Sequence, residues 1–156
     1  MTKFFFDERV VHIGLSAMDD KEVLKKMADE LQYAGYVKDS FSQAIIQREK
    51  IFATGLPLEV YGVAIPHTDP HHVETEMISI ATLKEPISFG VMGNPDEKVA
   101  VSIVFMLAME DSSAQLQLLA TLMCIIQDTS ILKKIYEAQS PKDLVALLST
   151  RMEVFI

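Results

Sequence analysis

Three of the chain's four histidines, His67, His71 and His72, fall in one short stretch, GVAIPHTDPHHV, from Gly62 to Val73. Imidazoles in such a cluster can ligate a metal, act as a nucleophile, or line an ordinary polar loop. For a metal, His67, His71 and His72 with Asp69 would supply nitrogen and oxygen ligands. However, Pro66 and Pro70 bracket that set, so no regular helix can place positions 67 and 71 on one face. The chain also offers no second ligand cluster, and the metal module stays only as an alternative. His71 and His72 follow Asp69-Pro70 and read as turn residues without a nameable partner. His67 is different, because it comes directly after Pro66 at the end of a short apolar run. In open α/β sheets, binding groups project from strand ends into a crevice. An imidazole with its ordinary pKa near roughly 6.5 is mostly neutral at neutral pH. One ring nitrogen is then free and can accept a phosphoryl group directly.

The elements that must position this histidine can be read from patterning. The segment VVHIGLSA (10–17) reads as a strand, with His12 a strand residue whose ring is satisfied. DDKEVLKKMADELQYAGY reads as a helix, with Asp19 and Glu22 as its capping box and Gly35 as its stop. Val23, Met27 and Leu31 line one face of it. SFSQAIIQREKIFATG reads as a second helix, boxed by Ser40 and Gln43. Segments 63–65, 77–83 and 99–109 read as strands. The last is apolar on both faces, as a strand covered by helices on both sides must be. It pairs with 77–83 through the turn-rich KEPISFGVMGNPDEK. QLQLLATLMCIIQD follows as an apolar helix, with Leu116, Leu119, Met123 and Ile126 on one face and Leu118, Leu122 and Ile125 beside it. Two shorter helices finish the chain, the last starting at Ser140-Pro141. The expected fold is α/β: a single mixed β-sheet flanked by helices on both faces.

Composition narrows the function. One domain, residues 1–156, is the default for this length. A net charge of −8 lacks the basic face that nonspecific nucleic-acid binding needs. The single cysteine, Cys124, excludes an internal disulfide and fits a reducing compartment. Its place in an apolar helix reads as a buried, inert thiol. The run Val99–Met109, interrupted only by Ser102, falls well short of the roughly 20 residues of a membrane helix. The N-terminus carries no signal-peptide core, and its natural-looking start suggests a standalone cytoplasmic chain.

GVAIPHT resembles the active-site segment of the enzyme IIA domains of the phosphoenolpyruvate-dependent sugar phosphotransferase system, of the fructose/mannitol type (EIIA type-2). The upstream FSQAIIQREKIFATG is similar to the family's arginine-glutamate pair followed by Thr-Gly, here Arg48, Glu49, Thr54 and Gly55. Downstream, VSIVFMLAMEDSSAQLQLLATL resembles its long strand, acidic loop and Leu-rich helix. Fructose and mannitol members carry a second active-site histidine at the start of that helix. Here Gln115 stands in its place, as in the galactitol-specific branch. An amide can donate a hydrogen bond there but cannot be cationic. Gln115 with Ser112 would also make a capping box, and both roles can hold.

The resemblance implies the mannitol-type IIA fold and a phosphoryl relay. Phosphorylated HPr, the small histidine-containing carrier, would pass its phosphoryl group to His67 as a tele-phosphohistidine. His67 would pass it to a cysteine of the IIB component, and membrane component IIC would come later. No cofactor is implied. Arg48 would stabilise phosphoryl charge, unless it forms a surface ion pair with Glu49 or another acid. Thr54 and Thr68 could donate hydroxyls, although Thr54 could equally be a turn residue. Phe52, Leu56 and Met109 are expected as an apolar docking rim. The alternatives are a regulatory, nitrogen-type IIA phospho-acceptor and an IIA domain cut from a transcription regulator.

Overall fold

A computed structural model describes residues 6–155. The chain folds as β1 (Phe6–Leu15), α1 (Asp20–Tyr33), α2 (Phe41–Ile51), β2 (Gly55–Pro57) and β3 (Gly62–Ala64). A 3-10 turn (Pro70–His72) precedes β4 (Met77–Val91) and β5 (Asn94–Ala108). Three helices follow: α3 (Ser112–Ile126), α4 (Thr129–Glu137) and α5 (Pro141–Phe155).

The sheet is mixed, as expected. Its order is β1-β4-β2-β3-β5, and β4 and β5 also pair with each other. β1 lies parallel to β4, and β3 parallel to β5; β2–β3 and β4–β5 are antiparallel. Alternating side chains of the strands feed two separate cores. On one face Val10, Ala64, Val104 and Met106 pack with Val23, Met27, Leu31, Phe41 and Ile45 of α1 and α2. On the other Val11, Val63, Ile80, Ile103 and Phe105 pack with Leu118, Leu122, Ile125, Ile131 and Leu144 of α3, α4 and α5. Helices therefore cover both faces, and β5 is apolar from Ile103 to Ala108 for that reason.

The β4–β5 hairpin is much longer than its sequence suggests. KEPISFGV and NPDEK are strand, and the turn is only Met92-Gly93, with Gly93 at φ +85. Pro86 falls within the register shift between Thr82 and Ile87, where the ladder needs no N–H from it. α5 is also not short, at 15 residues the length of α3.

Helix starts follow side-chain oxygens, though not always the expected ones. Asp19 caps α1, accepting from the Glu22 N–H at 2.9 Å. Asp111, not Ser112, caps α3, accepting from the Ala114 N–H at 2.7 Å. A carboxylate one residue earlier displaces the serine into the first helical turn. Ser40 leaves the start of α2 without a side-chain cap, because its Oγ lies 2.7 Å from Nδ1 of His72 instead. In α3, Leu118, Leu122, Ile125 and Ile126 are the buried residues. Leu116, expected on the packed face, is 69% exposed.

Two further expectations fail. Cys124 is exposed, because it lies off the buried stripe of α3. His12 does not have a satisfied ring: its Nε2 is buried with no hydrogen-bond partner among the described residues. Burial pushes its pKa below the ordinary histidine value, against an opposing pull from Glu30.

Gly62, the first residue of β3, packs against the backbone of β5. A Cβ there would run into the carbonyl oxygen of Ala100. Backbone cannot yield as a flexible side chain can. Gly62→Ala is expected to cost about 2–3 kcal/mol or more in urea unfolding, whereas Gly93→Asn, at a φ that asparagine tolerates, should cost under about 1 kcal/mol.

Candidate functional site

The site is built where β3 ends. After Ala64 the chain stays beside β5 for three more residues. Leu107 N–H donates to the Pro66 carbonyl at 3.0 Å, and His67 forms a bridge with Leu107. Pro66 has no N–H to offer, so the strand stops there.

His67 Nδ1 lies 2.9 Å from the carbonyl oxygen of Ile65. A carbonyl can only accept, so Nδ1 carries the proton and Nε2 keeps its lone pair. The half-buried ring has a pKa below the ordinary value. Burial is the main cause; the Ile65 bond pulls the other way, and the Arg48 charge adds to the lowering. The ring is thus held neutral, in one tautomer, with Nε2 as the free nucleophilic nitrogen.

Behind the histidine lies a buried polar chain. Glu49 is 6% exposed and Thr54 3%. Glu49 accepts from the Thr54 N–H and from the Thr54 hydroxyl, both at 2.8 Å. The hydroxyl oxygen in turn accepts from the Ile65 N–H at 3.2 Å. The Thr54 hydroxyl proton is therefore committed to Glu49 and is not offered to a ligand. Burial pushes the Glu49 pKa up to about 7, against the opposing effect of the two Thr54 bonds. The chain links the end of α2 to the residue whose carbonyl holds His67.

Arg48 precedes Glu49 on α2 and makes no ion pair among the described residues. Its guanidinium carbon lies 5.0 Å from the centre of the Phe52 ring, and its Nε is buried without a hydrogen-bond partner among the described residues. Gln115, in the first turn of α3, donates from Nε2 to the carbonyl of Thr68 at 3.1 Å. It thereby ties α3 to the residue after His67. Thr68 itself is buried.

The other two histidines of the cluster go elsewhere. Their rings stack on each other at 3.9 Å, and His72 is bound to Ser40. The Lys38 N–H donates to the His72 carbonyl, which staples this loop to the start of α2. Among the described residues no group of three or more His, Cys, Asp or Glu side chains is arranged to hold a metal ion. Of the expected rim, Phe52 is 60% exposed and Leu56 half-buried, but Met109 is buried at 1%. Ile51, beside Phe52, and Leu116, beside Gln115, are also exposed apolar residues. The Ile65 carbonyl, the capping role of Asp111 and the ring under Arg48 have no signal in composition. Only the fold brings them to the site.

Known proteins fit this arrangement. A family model described as phosphoenolpyruvate-dependent sugar phosphotransferase system, EIIA 2, matches residues 4–150. The galactitol-specific EIIA component of Escherichia coli K12 is 35% identical over 79% of this chain and 81% of its own length. Enzyme IIAMTL of Escherichia coli, solved in complex with phosphorylated enzyme IIBMTL, superposes with a TM-score of 0.76 at 20% identity, over 94% of this chain and 99% of that one. The nitrogen regulatory protein IIA-Ntr of Neisseria meningitidis superposes with a TM-score of 0.73 at 22% identity, covering 92% and 95%. At these identities the two structures speak for the fold alone.

Two outcomes follow from the geometry. The His67 ring, followed by NMR titration, should protonate with a midpoint below the ordinary histidine value of about 6.5, so it stays neutral as pH falls through that point. A midpoint above 6.5 would contradict the burial argument. Thr54→Val removes one of the two donors to Glu49 and should cost about 1–3 kcal/mol in thermal or urea unfolding.

Proposed function

We propose that this chain, which belongs to the EIIA type-2 family of the phosphoenolpyruvate-dependent sugar phosphotransferase system, carries its phosphoryl group on Nε2 of His67. The single observation behind this is the Nδ1 bond to Ile65, which leaves Nε2 as the free nucleophile of a neutral ring. In the transfer the Nε2 lone pair forms a new P–N bond. The donor's P–N bond breaks, and its electron pair returns to the donor imidazole. The onward step is the same exchange, with a thiolate as the attacking group.

The donor is phosphorylated HPr, and the acceptor is a cysteine of the IIB component. The solved complex of a IIA fold with phosphorylated IIB supports a direct encounter of this kind. Charge on the moving phosphoryl group is met by Arg48, whose guanidinium makes no ion pair among the described residues. Gln115 holds the His67–Thr68 backbone from the other side. Docking uses the exposed apolar residues Phe52, Ile51 and Leu116, neighbours of Arg48 and Gln115 in the chain, with a net negative charge that favours fast, weak encounters with a basic carrier. The chain acts as a single domain in the cytoplasm. The relationship to the galactitol-specific component, together with glutamine at 115, supports galactitol or a related polyol as the sugar served. The regulatory alternative shares the fold, but the higher identity lies with the transport component.

The test is phosphorylation by phosphoenolpyruvate, enzyme I and HPr, read by intact mass. Wild type should gain one acid-labile phosphoryl group, and His67→Ala none. An unmodified wild type would overturn the reading. Gln115→Ala should lower the transfer rate roughly threefold to tenfold, the scale of one hydrogen bond. A galactitol-type IIB should discharge the phosphorylated chain faster than a mannitol-type IIB.

A further inference from the structure

The geometry points to Phe52 as a positioning residue for phosphoryl transfer, acting through Arg48, and not as a docking contact alone. This rests on the reading of His67 as the phosphoryl acceptor.

An arginine that is to meet a dianionic phosphoryl group faces a conflict. A carboxylate would hold its guanidinium in place but would also cancel its charge. An aromatic face holds a guanidinium and leaves the charge intact. Arg48 shows the second arrangement. Its guanidinium carbon is 5.0 Å from the Phe52 ring centre, it has no ion pair among the described residues, and its Nε is buried without a hydrogen-bond partner among them. Its charge is felt at the His67 ring.

The ring is placed there by the backbone. Phe52 ends α2, its N–H donating to the Arg48 carbonyl at 2.7 Å, and then leaves helical geometry with φ −119 and ψ 78. Two residues on, Thr54 is clamped to Glu49 through both its N–H and its hydroxyl. The turn from Glu49 to Thr54 is thereby closed, and the Phe52 side chain lies back over Arg48. Phe52 remains 60% exposed among the described residues. Exposure alone would suggest a docking residue, and the two roles predict different kinetics.

Phosphoramidate separates them, because this small donor has no protein surface to dock. Its P–N bond breaks as the Nε2 lone pair attacks phosphorus, and ammonia leaves with the electron pair. The experiment compares phosphorylation rates of the full chain with phosphoramidate and with phosphorylated HPr. The variants are Phe52→Leu, Phe52→Trp, Arg48→Gln and the double variant Phe52→Leu/Arg48→Gln, with thermal melting as a control for folding. Phe52→Leu is expected to slow the phosphoramidate reaction about twofold to fivefold. Phe52→Trp should restore the rate, and Phe52→Leu should add nothing once Arg48 is glutamine. A full phosphoramidate rate in Phe52→Leu, with only the HPr reaction slowed, would overturn the proposal and leave Phe52 a docking residue. Losses that add in the double variant would overturn it as well. Failure of the wild type with both donors would remove the phosphocarrier reading and this one with it, and that failure would be visible without any substitution.

Discussion

A histidine can receive a phosphoryl group only if one ring nitrogen is unprotonated and the ring is held in place. The carbonyl of Ile65 meets both conditions with one hydrogen bond, to the Nδ1–H of His67. That carbonyl lies two residues back along the same chain, so the bond depends on the backbone path through Pro66. The path is set in turn by strand pairing. Ile65 and Pro66 lie beside β5, the Pro66 carbonyl is taken by Leu107, and Gly62 lets β3 approach β5 closely enough for this to happen. The long β4–β5 hairpin provides the rigid wall. Helices on both faces keep that wall dry, and the nucleophile sits at its rim.

The buried Glu49–Thr54 pair serves the same end at an energetic cost. Removing a carboxylate from water is unfavourable, and here the penalty is expressed as a pKa pushed up to about 7. Apolar residues in those positions would cost less. What the pair contributes is a covalent-like order to the joint between α2 and β3. Glu49 is adjacent to Arg48, Thr54 satisfies the Ile65 N–H, and Ile65 holds the His67 ring. His67 is thus joined by one hydrogen-bonded chain to Glu49, the neighbour of Arg48 on α2, though the residues come from different elements. Transfer of a phosphoryl group places most of its demand on positioning, so rigidity at this joint is where stability is well spent.

Much of this was legible in the residues, and the failures share a cause. The helix α1, four of the five strands, the mixed sheet and the placement of His67 after a proline follow from periodicity and from proline's missing N–H, whereas β2 (Gly55–Pro57) begins where the residue pattern closes the second helix segment, and α2 stops at Ile51. The resemblance pointed to the family, which the family-model match over residues 4–150 bears out. The misread features are those where a local signal competes with a tertiary one. Pro86, Pro95 and Gly93 look like a loop, yet a register shift and a two-residue turn absorb them into a 15-residue strand on each side. Ser40 and Ser112 look like caps, yet His72 and Asp111 offer better geometry. Met109 and Cys124 exchange their expected environments because burial on β5 and α3 depends on which face meets the sheet, a question hydropathy does not answer. The backbone carbonyl that orients His67 carries no sequence signature, since every residue has one.

Glutamine at position 115 changes how charge is shared across the site. A histidine at that position could be cationic, whereas a glutamine amide carries no charge. Here the amide is spent on the Thr68 carbonyl, and among the described residues Arg48 is the cation whose charge reaches His67. In the reading proposed above, stabilisation of the transferred group would rest on one guanidinium. Such a site gains little from a loosely held arginine, because among the described residues no second cation acts on His67 when it swings away. It also gains little from an arginine locked to a carboxylate, because the charge is then already answered. A ring face, a buried Nε without an internal partner and a turn closed by a neighbouring buried acid resolve both difficulties together. An uncharged Gln115 on α3 and the holding of Arg48 by a ring on α2 thus answer, in the reading proposed above, to one electrostatic constraint.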